Sequence, residues 1–326
     1  MRLNQVSVIV PVHNRPVLLR EAVASVMAQS YRDIELVIVD DGSSDDTPAV
    51  ALALSQANPD IIRVVSQANA GPGAARNLGL AHAHGEFIQY LDSDDLLEPS
   101  KFEWQVQALR EHAEAGVAYG LTRRVNLATG EVRDWACTNE DIVDIFPSFL
   151  LKRGWDTNSP LWRRSVCDAI GPWAELRCLE DWEHDLRAGL LGVKPVRVQG
   201  HVVTVRDHGE PRASGMDTGF TPAIVRDMFV AHRSIWRKMQ AADKTEWTYF
   251  EPFSRKLFWI ARLCGERGLE AEADEALALA GEAMAIGGRT GRLRAFRAMK
   301  QVLGWRWTVR LGETARGVFR RSNGNR

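Results

Sequence analysis

The sequence lacks several features that would have decided its class at once. Its 326 residues include four cysteines, Cys137, Cys167, Cys178 and Cys264, with no CxxC and no metal-ligand spacing. That excludes a disulfide scaffold and a zinc fold, and the expectation is reduced thiols in an intracellular protein. No window approaches the ~18 uninterrupted apolar residues of a spanning helix, so nothing is expected to cross a membrane. The opening run, MRLNQVSVIVPVHN, is broken by a proline before it reaches the length of a secretion signal's apolar core, so no such signal is expected. Net charge is nearly absent as well, at −1, but the balance is uneven. Residues 289–326 carry eleven Lys or Arg against the single acid Glu313, leaving 30 basic and 41 acidic residues before them. Such a split calls for an anionic partner for the tail.

What is present is ordinary globular material, 45% apolar and 25% charged, enough for one large or two medium domains. Strand and helix patterns alternate through the first hundred residues. Short β-branched runs at 6–10, 34–39, 61–65 and 87–91 are separated by amphipathic stretches beginning at Pro16, about residue 45 and about Gly73. Strands apolar on both faces predict a parallel sheet covered by helices on both sides, with ligands at the carboxyl ends of the strands. Beyond these, the spacing predicts a helix over 98–112, a hairpin over 117–133 turning at Thr129-Gly130, a helix from near Leu179, strand at 196–205, and helices from Phe220 to about Ala285. Gly287-Gly288 is the expected break before the basic tail.

The chemistry concentrates at residues 90–95, YLDSDD, where an apolar run stops at three carboxylates in four positions. In an extended chain Asp92 and Asp94 would point the same way, and two adjacent carboxylates need a cation between them. A hard divalent ion fits. A solvated acidic turn is the plain alternative. A calcium loop would want glycine where Leu97 stands and tolerates Pro99 poorly. Asp40 and Asp41 end the second strand before Gly42, while Ser44 or Asp45 suits a helix cap. In GPGAARNLG, residues 71–79, Arg76 replaces the last glycine of a dinucleotide fingerprint, and a helix N-terminus beside a guanidinium favours an anion.

PVHN, VDDGSSDDT, NAGPGAARNLG and LDSDD, in this order and spacing, resemble the family 2 glycosyltransferases, closely over residues 4–100 and more loosely to about 210. The resemblance implies the GT-A fold, an α/β Rossmann-like, mostly parallel sheet with helices on both faces, followed here by a helical C-terminal region. It implies a domain over 1–215, with 1–100 binding the nucleotide-sugar and 101–215 the acceptor, then a helical extension over 216–288 and a basic amphipathic tail over 289–326. Pro11, Val12, Asn14, Asp40, Asp41, Arg76, Asp92 and Ser93 match donor-binding positions. Asp41 stands where the family contacts the base, and Arg76 where it contacts the sugar or diphosphate. Asp92 and Asp94 match the DxD that holds Mn²⁺ or Mg²⁺. His208, in Arg206-Asp207-His208, resembles a further metal ligand, although Pro211, Ala213 and Ser214 depart from the serines usual after it. Asp181, second of the Glu180-Asp181 pair, matches the catalytic base, with Glu180 and Trp182 on the acceptor side.

The expected activity is inverting transfer of a sugar, from a UDP-sugar first of all, to a saccharide or lipid-linked hydroxyl in cell-envelope polysaccharide or glycolipid synthesis. A sugar-phosphate nucleotidyltransferase is the rival enzyme, but it wants a glycine-rich basic loop where PVHNRP stands. A catalytically inactive nucleotide-binding module held at a membrane is the rival outside enzymology. For the tail, with Trp305 and Trp307 among its arginines, the choices are an anionic membrane surface, packing on the domain, or nucleic acid, for which no known fold appears. The expected location is the cytoplasm, at the inner face of the cell membrane if the tail binds lipid.

Overall fold

The computed structural model describes residues 1–135, 140–209, 219–288 and 290–323. Cys137 and the segment holding Pro211, Ala213 and Ser214 lie outside the described residues. The chain divides into two compact units, residues 1–213 and 214–326.

In the first unit, β1 (Arg2–Val12), β2 (Ile34–Asp41), β3 (Ile62–Gln67) and β4 (Gly85–Tyr90) lie in the spatial order β3-β2-β1-β4. All three pairings among them are parallel, as the alternation with α1 (Pro16–Met27), α2 (Thr47–Ala57) and α3 (Pro72–His82) requires. Strand interiors such as Val8, Ile9, Val10, Leu36 and Ile38 are wholly buried, because helices cover both faces. α3 approaches β1 so closely that a methyl group on Gly79 would stand 2.3 Å from Ile9 Cγ2.

The rest of the sheet is mixed. It continues through β8 (Leu161–Arg163), β6 (Ala115–Asn126), β9 (Lys194–Asp207) and the two-residue β5 (Leu96–Leu97), with α4 (Lys101–Glu111) packed beside it. β8 runs antiparallel to both β4 and β6, and β5 antiparallel to β9, so the parallel order holds for the first four strands and not for the whole sheet. The expected hairpin is β6 with β7 (Val132–Asp134), its turn carrying Gly130 at φ 72°. A short α5 (Arg164–Ile170) leads to α6 (Glu180–Leu190), which starts just after Leu179 as its pattern predicts.

The second unit is helical: α7 (Pro222–Ala241), α8 (Trp247–Glu266), α9 (Glu270–Ile286) and α10 (Gly291–Asn323), the last broken at Gly304 by a φ of 70°. Leu293, Phe296 and Trp305 of α10 are buried, Phe296 edge-on to Phe258 of α8 and the Trp305 indole donating to Asp274 of α9 at 2.9 Å. Val302 and Trp307 remain 83% and 62% exposed. Among the described residues no helix is long and apolar enough to cross a membrane.

Candidate active site

β4 parts from β1 near Ile9, although β1 itself runs on beside β2 to Val12. The Leu91 amide donates to Ile9 O, after which the chain leaves the ladder and turns, Asp95 N donating to Asp92 O at 3.1 Å. Residues 92–95 are therefore not extended, and the expectation that Asp92 and Asp94 share a strand face by period two is corrected. The turn gathers them by another route, bringing one oxygen each of Asp92, Asp94 and Asp95 within 4.8 Å of one another. Ser93 is buried at its centre.

Each carboxylate of the turn has donors of its own. Asp94 Oδ2 meets Arg15 Nη1 and lies 2.8 Å from His208 Nε2. Asp92 accepts from Arg76 Nη2 at 2.8 Å. The buried Asp95 accepts from Asn158 Nδ2 at 2.7 Å and from the Arg206 amide at 2.8 Å, while Asn158 Oδ1 takes the Asp92 amide at 2.7 Å. Burial raises the Asp92 carboxyl above its ordinary range, although Arg76 opposes it. Burial acts the same way on Asp94, but Arg15 and His208 outweigh it and hold that carboxyl low. Asp95, buried and facing Asp94 and Asp92, is pushed well up. Hard oxygens beside one imidazole suit Mn²⁺ or Mg²⁺.

Pro11 and Val12 end β1, buried, and Asn14 follows in the left-handed region at φ 52°. Asn14 Oδ1 accepts the Ser44 amide at 2.8 Å and its own amide donates to Ser43 Oγ at 2.9 Å, lacing the first loop to the second. Asp40 accepts the Ser43 amide at 3.2 Å and Asp45 that of Thr47 at 2.9 Å; the N-cap position of α2 is Asp46, without a side-chain cap, so the expected cap at Ser44 or Asp45 is corrected to an i→i+2 bond just ahead of the helix. The Asp41 carboxylate takes Gln67 Nε2, the Ala70 amide and the Gly71 amide at 2.7, 2.8 and 2.9 Å, so it shapes the entrance to α3. Gly42 sits at φ +69°, with Asn69 N 2.7 Å from where a Cβ would be, a position that excludes larger residues.

Arg76 is 3% exposed and joins the two acidic motifs. Its Nη1 donates to Glu180 Oε1 at 3.0 Å and its Nη2 to Asp92, while the guanidinium lies 4.6 Å from the Trp173 ring centre. Both arms are thus committed to protein carboxylates. Burial, and then Asp181, push Glu180 up to about 7 against the pull of Arg76. Asp181 follows at the start of α6, its Oδ2 accepting from Arg153 Nη1 at 2.5 Å and Thr157 Oγ1 at 3.2 Å, its Oδ1 from the Trp182 amide at 2.6 Å. Arg153 also donates through Nε to Asp185 at 2.7 Å. Trp182, expected on the acceptor side, is buried instead and turns its indole inward to Phe149 O at 2.7 Å, because the first turn of α6 packs that face against residues 148–150.

Several residues here escape the sequence motifs. Arg15 directly follows PVHN, whereas Asp95 already stands in LDSDD. Asn158, Arg153 and Thr157 come from the aromatic loop segment before β8, with no spacing to mark them.

Residues 7–160 match the model for Glycosyl transferase family 2. An uncharacterized glycosyltransferase of Nostoc sp. is 41% identical over 117 residues, 36% of this chain and 36% of that protein. Glycosyltransferase GlyA of Streptococcus pneumoniae is 36% identical over 127 residues, 39% of this chain and 18% of that protein. The matches therefore span about a third or less of these relatives' lengths. Among solved structures, S. aureus TarS 1–349 superposes with a TM-score of 0.69 at 19% identity, covering 96% of this chain and 91% of its own, and has also been solved with UDP and with UDP-GlcNAc. Mannosyltransferase PcManGT from Pyrobaculum calidifontis, solved with GDP-Man and Mn²⁺, gives 0.50 at 18% identity over 95% of this chain and 83% of its own. These similarities establish the GT-A fold, and within it residues 7–160 are the segment that matches the family 2 glycosyltransferases.

Proposed function

We propose that the protein is an inverting, metal-dependent glycosyltransferase that moves a sugar from a nucleotide-sugar, a UDP-sugar first of all, to a hydroxyl of a saccharide or lipid-linked acceptor in cell-envelope polysaccharide or glycolipid synthesis. The observation that carries this reading is the Arg76 bridge, which holds the 92–95 turn and the Glu180-Asp181 pair on either side of one guanidinium. A donor carrying a diphosphate is supported by the neighbours solved with UDP-GlcNAc and GDP-Man; they differ in base, so the base is the least constrained part.

In this reading residues 1–100 take the donor and 101–215 the acceptor, with 216–288 an extension and 289–326 a basic tail. Pro11, Val12, Asn14, Asp40 and Asp41 form the rim for the nucleoside. Asp92, Asp94 and His208 would hold Mn²⁺ or Mg²⁺, which when bound neutralises charge on the diphosphate. Asp181 takes the proton of the acceptor hydroxyl as its oxygen attacks the anomeric carbon, and the bond to the diphosphate oxygen breaks on the opposite face, inverting the centre. Its Oδ1 is suited to this, since accepting the Trp182 amide leaves a second lone pair. Arg153 and Thr157 keep the carboxylate from rotating away. The exposed Val302 and Trp307 and the basic excess of the tail support contact with an anionic membrane at the cytoplasmic face. Loss of liposome binding on truncation at Gly288 is the expected outcome there, and unchanged partitioning sinks that part.

Calorimetric titration with UDP, GDP and dTDP, with and without Mn²⁺, tests the donor site. Asp94→Ala should lose metal-dependent binding. Asp181→Asn should abolish transfer while nucleotide binding survives, and equal loss of both removes Asp181 from the role of base.

A further inference from the structure

Arg15 follows the PVHN segment, and the reading above gives it no part. Its own amide donates to Thr47 Oγ1 at 2.9 Å, and the two residues before it are held as well, the Asn14 amide donating to Ser43 Oγ at 2.9 Å and the His13 ring Nδ1 lying 2.8 Å from Asp41 O. From that fixed point the side chain crosses to the acidic turn, where Nη1 meets Asp94 Oδ2. His208 Nε2 reaches the same oxygen. A divalent cation held by Asp94 and His208 would have to share that oxygen with a guanidinium. Two like charges in contact repel strongly in a partly buried site, so the cation and this Arg15 contact exclude each other. Displacing the guanidinium breaks its pair with Asp94 by side-chain rotation, while the Arg15 backbone stays bonded to Thr47. The anion that accompanies the cation into such a site is a diphosphate, whose oxygens a planar guanidinium binds in fork geometry.

We propose that Arg15 is an exchangeable counter-ion, which neutralises Asp94 until a divalent cation takes that carboxylate and then binds the donor diphosphate. The inference rests on the donor-site reading above. Its consequence is cooperativity. A cation alone must break the Arg15–Asp94 pair with nothing offered to the guanidinium in return, whereas cation and diphosphate together satisfy every charge.

The test is titration of the full chain with Mn²⁺, followed by electron paramagnetic resonance, alone and with UDP or GDP, for wild type, Arg15→Met and Arg15→Lys. Arg15→Met should bind Mn²⁺ alone at least about fivefold more tightly and the Mn²⁺–nucleoside diphosphate pair about tenfold more weakly. Arg15→Lys, which keeps the charge without the fork, should fall between. Damage to the fold cannot produce a tighter metal site, so the opposite signs distinguish a direct role from a structural one. An Arg15→Met protein whose affinity for Mn²⁺ alone is unchanged or weaker, while wild type binds Mn²⁺ with a nucleoside diphosphate, overturns this inference and leaves the donor site standing. A wild-type protein that binds no diphosphate in the presence of Mn²⁺ overturns both.

Discussion

Asn158 offers the most direct test of how the acidic turn is held. One side chain serves both ends of it, Oδ1 taking the Asp92 amide and Nδ2 donating to Asp95, each at 2.7 Å, with Asn158 and Asp95 both buried. Asn158→Ala deletes both bonds. A neutral amide bond contributes about 1 kcal/mol and a bond to a carboxylate about 1.5–3 kcal/mol, with the larger share arising because the buried partner is left unsatisfied. The sum is about 3 kcal/mol, well within the ~5–15 kcal/mol typical of a folded domain, so the variant should fold. With a urea dependence near 3 kcal/mol per molar for a unit of this size, the local midpoint should fall by about 1 M. Because the chain divides into two units, the assay should be local: hydrogen exchange of peptides spanning 85–97 across a urea series. Asn158→Asp is the companion, matching the shape but setting a second carboxyl against Asp95, and should cost at least as much. If either variant lies within about 0.5 kcal/mol of wild type, the turn is held by something other than these two bonds.

Three further outcomes follow from the packing. Lys101 is wholly buried, burial depresses its ammonium well below the ordinary range against the pull of Asp156, and its Nζ donates at 2.6 Å to Ser159 O, which Gln105 Nε2 also reaches at 2.8 Å. Lys101→Met should therefore leave stability within about 1 kcal/mol or raise it, and a thermal-melt loss near 3 kcal/mol would contradict that. Burial brings His232 of α7 down to about 4, from an ordinary value of ~6.5. The unfolded chain takes up that proton first as pH falls, so stability of the second unit is full above about 6.5 and drops by about 3 kcal/mol towards pH 4. His232→Phe should flatten that slope in acid-denaturation curves followed by circular dichroism; an unaltered slope assigns it to other groups. Gly79→Ala, whose new methyl would meet Ile9 Cγ2, should lift α3 from β1 at a cost of about 1–3 kcal/mol, and an unchanged melting temperature would show that the helix shifts freely.

How far the sequence could be read depends on the range of the forces involved. Strand and helix positions in the first hundred residues were legible because they rest on local apolar periods, and β-branched runs such as VSVIV and IELVIV fit little else. The four motifs sit at strand ends, where chain direction alone brings β1, β2 and β4 to one rim. Mixed pairing in the second half was not legible. The direction of β8 between β4 and β6 is decided by loops of no periodic character, and two- and three-residue strands leave too little pattern to orient.

The candidate site shows the same limit at atomic scale. That Asp92 and Asp94 converge was foreseeable, but the stated cause was not the operating one, since period two ends where β4 turns away from β1, and no local apolar period marks that point. The groups that neutralise this acidity lie far along the chain: Arg15 is 79 residues from Asp94, His208 is 114, and Arg76 is 104 from Glu180. No spacing rule connects such pairs. A weaker signal was nonetheless available. Three carboxylates in four positions cannot be buried together without cations, so a reader of the sequence alone could require at least two basic partners for residues 92–95. Arginines adjoining the other rim motifs, Arg15 after PVHN and Arg76 after the glycines, are the candidates that requirement selects, and the structure pairs both with the turn. Charge balance at a predicted strand end thus names partners that periodicity and motif spacing cannot.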